Sequence, residues 1–421
     1  MNIEALYNLY TQNYLVATDT RIIKKGSLFF CLKGENFNGN KFAAEALSKG
    51  ANFAVIDEEA YAEHSNTILV DDVLATLQKL ANFHREKLNI PIIALTGSNG
   101  KTTTKELINA ILSKKYKTTA TTGNLNNHIG VPLTLLSITP KTEIGIVEMG
   151  ANHLKEIETL CTIATPDFGL ITNFGKAHLE GFGSIEGVIK GKSELYKFLK
   201  QNNGKAFINT NDNLQVKQSN GLEIISFDNE FVKFLAADPF VKVQFKNTTI
   251  ESKLIGKYNY NNISAAIAIG NYFGVSVNHI KQAIENYEPT NNRSQIIQKG
   301  TTKIILDAYN ANPSSMKAAL ENFNQIDAST KIVFLGDMFE LGKKSTLEHQ
   351  KIADLASSYN FSKVYLIGKA FSTASVKNAF VFDSFESFKN SNNYINLNHS
   401  TVLIKGSRRM ALERILDLFQ I

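Results

Sequence analysis

Three consecutive α/β units are predicted for this chain, and three observations carry the prediction. Short apolar, β-branched runs alternate with amphipathic helical patterns along most of the sequence. One such run enters a helix through a glycine-bearing turn, Thr96 to Thr103. The chain has 421 residues, and with domains of roughly 100–200 residues that length calls for two or three compact units.

The first unit, residues 1–88, offers strand-like runs at Ser27–Leu32, Phe53–Ile56 and Thr67–Val70. It closes with a helix in which Val73, Leu74, Leu77, Leu80, Ala81 and His84 recur on one face, and Asn89-Ile90-Pro91 then breaks the pattern. A boundary near residue 89 follows, with the first unit expected to be a separable module. The second unit, residues 89–292, begins with a buried strand at Ile92–Thr96 and continues as a helix through Glu106, Leu107, Ala110 and Ile111. Gly145–Glu148 and Gly169–Thr172 read as further core strands of a mostly parallel sheet. Several short strands are expected between 222 and 255, then a helix around Asn262–Tyr272.

The third unit, residues 293–421, has the clearest alternation. Strands are expected at Lys303–Asp307, Ile332–Leu335, Val364–Ile367 and Val402–Ile404, with helices from Pro313 and from Thr346. A last helix places Leu412, Ile415, Leu416 and Phe419 on one face. This is Rossmann-like grammar, but no GxGxxG follows the first strand, which disfavours dinucleotide binding there.

Composition removes several function classes. Apolar residues make up 43% and charged residues 20%, as in ordinary globular proteins, and no run approaches the roughly 20 apolar residues of a membrane span. The first residues, Met1 to Tyr7, lack a basic segment followed by an apolar one, so a cytoplasmic location is expected. The two cysteines, Cys31 and Cys161, have neither CxxC nor Cys/His spacing and read as small buried hydrophobes. The net charge of +6 is spread along the chain, which favours an anionic small substrate over nucleic acid.

Thr96-Gly97-Ser98-Asn99-Gly100-Lys101-Thr102-Thr103 carries the strongest chemical signal. Between a strand and a helix, small residues let backbone N–H groups approach phosphate oxygens. The helix start adds favourable potential, Lys101 supplies a mobile cation, and the Thr102 hydroxyl can ligate magnesium. The full GxxxxGK[ST] pattern wants glycine where Leu95 stands. Glu148, ending an apolar strand, sits where an acidic magnesium ligand would lie beside such a loop.

These residues, followed by Lys105-Glu106, Gly123 to Thr134, Glu148 to His153, Asn173 to Ser184 and Lys192 to Tyr196, closely resemble the Mur ligases in order and spacing. Asp19-Thr20-Arg21, Gly26 to Phe30 and Leu32 to Gly39 resemble the uridine-binding domain of one branch of that family. Asp307 to Pro313 and Gly336 to Gly342 resemble its C-terminal domain. That branch adds D-alanyl-D-alanine to a UDP-N-acetylmuramoyl-tripeptide. The family's Gly-Arg pair before the last domain stands here as Asn292-Arg293, which puts the hinge geometry in question.

The resemblance implies an ATP-dependent ligase that activates the tripeptide carboxylate as an acyl phosphate. Gly97, Ser98, Asn99, Gly100, Lys101, Thr102 and Thr103 would cradle ATP, with Asn259 and Asn262 near the adenine and Arg293, Asn310 and Asp337 approaching from the last domain. Thr102 and Glu148 would hold one magnesium, and His178 would help hold a second. Lys192, as a carbamate formed with carbon dioxide, would support the metal pair. Without that register, Lys192 reads as a surface lysine paired with Glu194, and Lys190 as solvated. Thr20, Arg21, Ser27 and Asn36 would bind the UDP end, and Asn126 and Asn127 the muramoyl peptide. Lys405-Gly406-Ser407-Arg408 could steer a carboxylate or phosphate. A monomer is expected. The ligase that adds the third residue is the nearest alternative, but its DNPR-like motif is absent from the sequence. A folylpolyglutamate synthase would lack the uridine-binding unit, and a non-catalytic nucleotide-binding scaffold would need losses among Lys101, Glu148, His178 or Lys192.

Overall fold

In the computed structural model, which describes residues 2–290, 292–391 and 397–418, the Ile92–Thr96 strand organises the middle of the chain. All five of its residues are buried, as befits a parallel strand covered on both faces. It belongs to a six-stranded sheet in the order Glu223–Phe227, Lys205–Asn209, Phe168–Ile171, Ile92–Thr96, Ile144–Glu148, Thr118–Ala120. Every pair in this sheet is parallel. From Ile92–Thr96 the chain first builds one side of the sheet and then crosses to the other with Phe168–Ile171. The phosphate loop therefore opens at a topological switch point, outside the carboxyl ends of the strands, where this architecture leaves a crevice. Leu95 pairs with Glu148 on one side and Leu170 on the other, so the loop, Glu148 and Thr172-Asn173 emerge at one level.

Of the short strands expected between 222 and 255, Glu223–Phe227 forms the edge of this sheet. Val232–Ala237, Phe240–Phe245 and Thr248–Ile255 form a separate antiparallel meander. Val241, Val243 and Phe245 alternate into a core with Ile250, Ile280 and Ile284, which is the period-two burial of a one-sided sheet.

The first unit holds a four-stranded parallel sheet, Val16–Ala17, Leu28–Phe30, Phe53–Ile56 and Thr67–Leu69 in that order. The predicted closing helix is Val73–Lys87, but its buried face is shared. Leu77, Leu80 and Ala81 join one core with Val131, Leu135, Leu160 and Ile163 of the second unit. Polar contacts follow the same seam. Tyr10 Oη donates to Leu136 O at 2.8 Å and His84 Nε2 lies 2.9 Å from Ile138 O. The Arg85 guanidinium donates to Ala164 O and Thr165 O at 3.2 Å and to Asp167 Oδ2 at 2.8 Å. Sequence periodicity marks which helix face is buried but not that two units bury it together, so the expectation of a separable first module does not match the packing.

The last unit is a six-stranded sheet ordered Gln295–Lys299, Thr302–Asp307, Thr401–Lys405, Lys331–Gly336, Lys363–Ile367, Phe380–Phe382. The first pair is antiparallel and the others parallel. The four expected strands are the four inner ones. The two unexpected strands are the edges: Gln295–Lys299 has only two apolar residues between polar ones, and Phe380–Phe382 is an apolar run of three residues that is largely exposed, too short to mark a strand. The predicted last helix is a 3-10 helix, Leu412–Leu418, with Leu412 and Ile415 buried. Residues three apart eclipse on its three-per-turn spiral, so the pair shares one face; Phe419 lies outside the described residues. Both cysteines are free and buried, and burial pushes the Cys31 thiol up to about 12. Among the described residues no helix is long and apolar enough to cross a membrane.

Candidate active site

The loop bends at Gly97 and Gly100, with φ of 145° and 79°. A Cβ on Gly97 would lie 2.0 Å from Thr172 Oγ1, and one on Gly100 2.5 Å from Asn262 Oδ1, so both positions need glycine. Leu95 is fully buried within the strand, and the turn begins two residues after it. The glycine that the longer motif places there is therefore not required. Ser98 N donates to Asn173 O at 3.0 Å, and Thr172 Oγ1 donates to Asn99 O at 2.6 Å, which pins the loop to the neighbouring strand's exit. The helix Lys101–Leu112 starts directly behind it. Lys101 Nζ donates to Gly97 O at 2.8 Å, and desolvation lowers its pKa, opposed by Glu148 and assisted by Arg293.

Glu148 is buried and closes this end of the cavity. Its carboxylate accepts from Thr102 Oγ1 at 2.9 Å and from Asn126 Nδ2 at 2.8 Å. Its backbone N–H donates to Thr121 Oγ1 at 2.9 Å, and buried Lys105 holds the Thr121 carbonyl at 2.8 Å. The hydroxyl and carboxylate are hard oxygen donors. Among the described residues no three histidine, cysteine or acidic side chains converge. This donor set fits magnesium shared with phosphate oxygens and water, the usual arrangement for that ion, rather than an all-protein cage.

A cavity of about 1010 Å³ opens here, and the loop from Ser98 to Thr103, Asn126, Asn127, Glu148, His178, Asn259, Asn262, Arg293 and Asn310 all line it. Asn262 accepts from Thr104 Oγ1 at 3.1 Å and donates to Asn259 Oδ1 at 2.8 Å. Arg293 stacks its guanidinium 3.6 Å from the centre of the Tyr309 ring. Asn292 and Ser294 flank it at φ of 57° and 51°. Asparagine is among the residues that best tolerate this left-handed region, so Asn292 holds its conformation without a glycine.

Several expected roles change. Asp337 is not in the cavity wall; its carboxylate accepts from Ala370 N and Phe371 N, both at 2.9 Å, and so caps the 3-10 turn Phe371–Thr373. Ser27 is buried with its hydroxyl donating to Lys24 O at 2.6 Å, and therefore closes a turn. Arg21 pairs with Asp19 at 2.5 Å, and Asn36 is exposed beyond the Lys33–Gly34 strand. With Thr20, these positions lie in the first unit and not along the cavity. Lys405 is buried in the cavity wall, where its ammonium is paired with the Asp307 carboxylate at 2.6 Å and donates to Asn310 O at 3.1 Å.

Lys192 overturns the surface-pair reading. It is fully buried, with Nζ donating to Ala151 O at 3.1 Å just behind the cavity wall. Glu194 instead accepts from Lys155 N at 2.7 Å and Glu158 N at 3.0 Å, satisfying free amides at the start of the helix Glu156–Ala164. Burial drives the Lys192 pKa well below the usual lysine value, and the Lys101 charge adds to it against Glu156 and Glu194. Lys190 is exposed, as expected. His178 Nδ1 is in close contact with the Glu340 carboxylate, which that contact holds below the usual glutamate range. The ring that was expected to serve a second metal thus faces the last unit.

Sequence reasoning assigned no role to Asn312, Tyr309 or Glu340. Asn312 caps the helix Pro313–Gln325 and also reaches the phosphate loop, donating to Asn99 Oδ1 at 2.8 Å. Its place before Pro313 signals a cap, but only the fold brings it to Asn99.

Three family models match in succession: one described as Mur ligase family, catalytic domain, over residues 13–85; the Mur ligase middle domain over 95–270; and the Mur ligase glutamate ligase domain over 292–413. The UDP-N-acetylmuramoyl-tripeptide--D-alanyl-D-alanine ligase of Bacillus subtilis is 34% identical, over 96% of this chain and 93% of its own length. The crystal structure of MurF from Acinetobacter baumannii superposes with a TM-score of 0.85 at 30% identity, covering 96% of this chain and 92% of that one. That of MurF ligase from Thermotoga maritima in complex with ADP gives 0.86 at 26% identity, covering 98% of each.

Proposed function

The chain belongs to the Mur ligase family, and from that premise we propose that it adds D-alanyl-D-alanine to UDP-N-acetylmuramoyl-tripeptide at the expense of ATP. The products are UDP-N-acetylmuramoyl-pentapeptide, ADP and phosphate, in peptidoglycan precursor synthesis. One observation carries the reading: the phosphate loop, Glu148, Asn126, Asn127 and groups from the last unit converge on one cavity, in a chain that matches such ligases over nearly its whole length.

A carboxylate and an amine do not condense in water because hydroxide leaves poorly, so the acid is first phosphorylated and the amine then displaces phosphate from the acyl phosphate. Both steps gather negative charge, and the site's task is to offer donors already in place. The loop amides and Lys101 hold the phosphates of ATP, and Arg293 adds a second cation from the last unit. Asn259 and Asn262 lie toward the adenine, and Asn126 and Asn127 toward the acceptor peptide. Thr102 and Glu148 would hold magnesium, which supplies charge neutralisation on the phosphate oxygens. Thr20, Arg21 and Asn36 form the uridine end in the first unit. Lys192 carries the carbamate: its burial beside Lys101 favours the neutral amine that carbon dioxide requires. His178, now in contact with Glu340, would help hold a second magnesium, which would add charge neutralisation at the phosphates. A cytoplasmic monomer is part of the same proposal.

The test is a coupled assay with mass spectrometry, using both the diaminopimelate and the lysine form of the UDP-tripeptide. ATP hydrolysis should require the UDP-tripeptide and yield pentapeptide with D-alanyl-D-alanine. Lys101→Ala should lose orders of magnitude in turnover with little change in melting temperature. Acceptor-independent ATPase activity without pentapeptide would reject the reading.

A further inference from the structure

Lys105 follows Thr102 by one turn of the helix Lys101–Leu112, and the chemistry above gives it no task. Its ammonium is buried and donates to Thr121 O at 2.8 Å. The Glu106 carboxylate lies 3.8 Å away, beyond hydrogen-bond distance, and accepts from Tyr287 Oη at 2.5 Å. Taking an ammonium out of water is costly, and a side chain ending in a methyl group would fill the same space. What the ammonium adds is a directional, charge-assisted bond to one carbonyl.

That carbonyl belongs to the residue from which Glu148 hangs. Thr121 follows the strand Thr118–Ala120, and its own N–H donates to Ile146 O at 2.9 Å. Its hydroxyl accepts from Glu148 N at 2.9 Å and from Thr134 Oγ1 at 3.4 Å. Further along, Asn126 O accepts from Gly150 N at 2.7 Å, and Asn126 Nδ2 donates to Glu148 Oε1 at 2.8 Å. Residues 121–126 therefore bracket the end of the Glu148 strand, and Lys105 ties that bracket to the helix that carries Thr102. Thr102 Oγ1 itself donates to Glu148 Oε2 at 2.9 Å. Two ties, one helical turn apart, thus set the carboxylate against the hydroxyl.

We infer that Lys105 is a positioning residue: through Thr121 it holds Glu148 where the carboxylate and the Thr102 hydroxyl can share magnesium. The assignment rests on the ATP and magnesium part of the reading above and not on the identity of the acceptor. A carboxylate that binds a metal owes its affinity to the groups that orient it as well as to its own charge, and removing such a support weakens metal binding about 10- to 100-fold.

Manganese(II) is the probe, titrated into the full-length protein with ADP present and followed by its electron paramagnetic resonance signal. Lys105→Met should weaken its binding about 10- to 100-fold and leave ADP affinity in the absence of metal unchanged. Thr121→Val, which removes the hydroxyl and keeps the carbonyl, should weaken it as well. Both act on one chain of contacts, so the double variant should lose less than the product of the two single losses. Lys115→Met is the control: that exposed ammonium also donates to carbonyls, those of Phe273 and Gly274 at 3.0 and 3.1 Å, and its loss should leave manganese binding as in wild type. Unchanged manganese affinity in a folded Lys105→Met would overturn the inference. So would fully multiplicative losses in the double variant, or an equal fall in metal-free ADP affinity, since each makes Lys105 a support of the helix and not of the carboxylate. If Lys105→Met does not fold, wild-type manganese affinity in Thr121→Val overturns it. A wild type that binds manganese with ADP but forms no pentapeptide sinks the acceptor assignment alone; one that binds neither sinks the ligase reading and this inference together.

Discussion

Asn312 donates its side-chain amide to Asn99 Oδ1 at 2.8 Å, joining the start of a helix in the last unit to the phosphate loop 213 residues earlier. The same asparagine accepts from Ser315 N at 2.9 Å as the helix cap. The two duties can be separated. Asn312→Asp keeps the capping oxygen and removes the donor, so stability should hold while KM for ATP rises several-fold. Asn312→Ala loses both and should also cost ~1 kcal/mol of stability. Denaturant unfolding with ATP titration checks the pair, and equal ATP affinity in all three proteins would show that the contact to Asn99 does not matter.

Lys192 yields a pH prediction. Its folded pKa is lowered, so between that value and the unfolded value near 10.4 the unfolded chain binds more protons than the folded one. In carbonate-free buffer, the stability of wild type relative to Lys192→Met should rise with pH across that window. Bicarbonate should then stabilise wild type and not the variant, because the carbamate forms in the folded state. Lys192→Ala should be nearly inactive, unrescued by bicarbonate and partly rescued by short carboxylic acids. Lys190→Ala should be fully active. An active Lys192→Ala would end the carbamate proposal.

Arg85 should matter more to folding than its charged character suggests. Its guanidinium meets the carbonyls of Ala164, Thr165 and Leu88 as well as Asp167. Arg85→Ala leaves several of these without a donor and should cost about 2–4 kcal/mol. Deleting residues 1–88 removes the whole shared helix, and the remainder should aggregate instead of binding ATP. A monomeric, ATP-binding 89–421 fragment in sedimentation would show that the shared core is dispensable.

Asn292 sits at φ 57°, so the residue type there should be selected by backbone conformation. Asn292→Gly should be neutral within about 0.5 kcal/mol, while Asn292→Val should cost about 1–2 kcal/mol, because a β-branched side chain meets the following carbonyl in the left-handed region. Thermal unfolding of the two variants distinguishes this from a role for the amide itself, in which case both would lose stability alike.

The phosphate loop and the acid beside it were legible in sequence because they are local. Gly97, Gly100, Lys101 and Thr102 are neighbours in the chain, and a buried strand on one side and a helix on the other announce their geometry. Glu148 is recognisable for a related reason: it ends an apolar strand, and in a parallel sheet strand ends with the same direction gather at one edge. The inner strands of the last unit were legible for the same reason. Tertiary structure decided whatever depended on which partner a polar group meets. Lys192 and Glu194 lie two residues apart and look like an ion pair, yet helix rotation buries one and turns the other to a neighbouring helix's amides. Asp337 and Ser27 carry chemistry suited to ligands, but nearby backbone groups take it up. The Val73–Lys87 helix announces one buried face without saying that two units share it. A residue's type and spacing limit what it can bond, and burial and the competition among nearby donors and acceptors, set only when distant segments pack, choose the bond it makes.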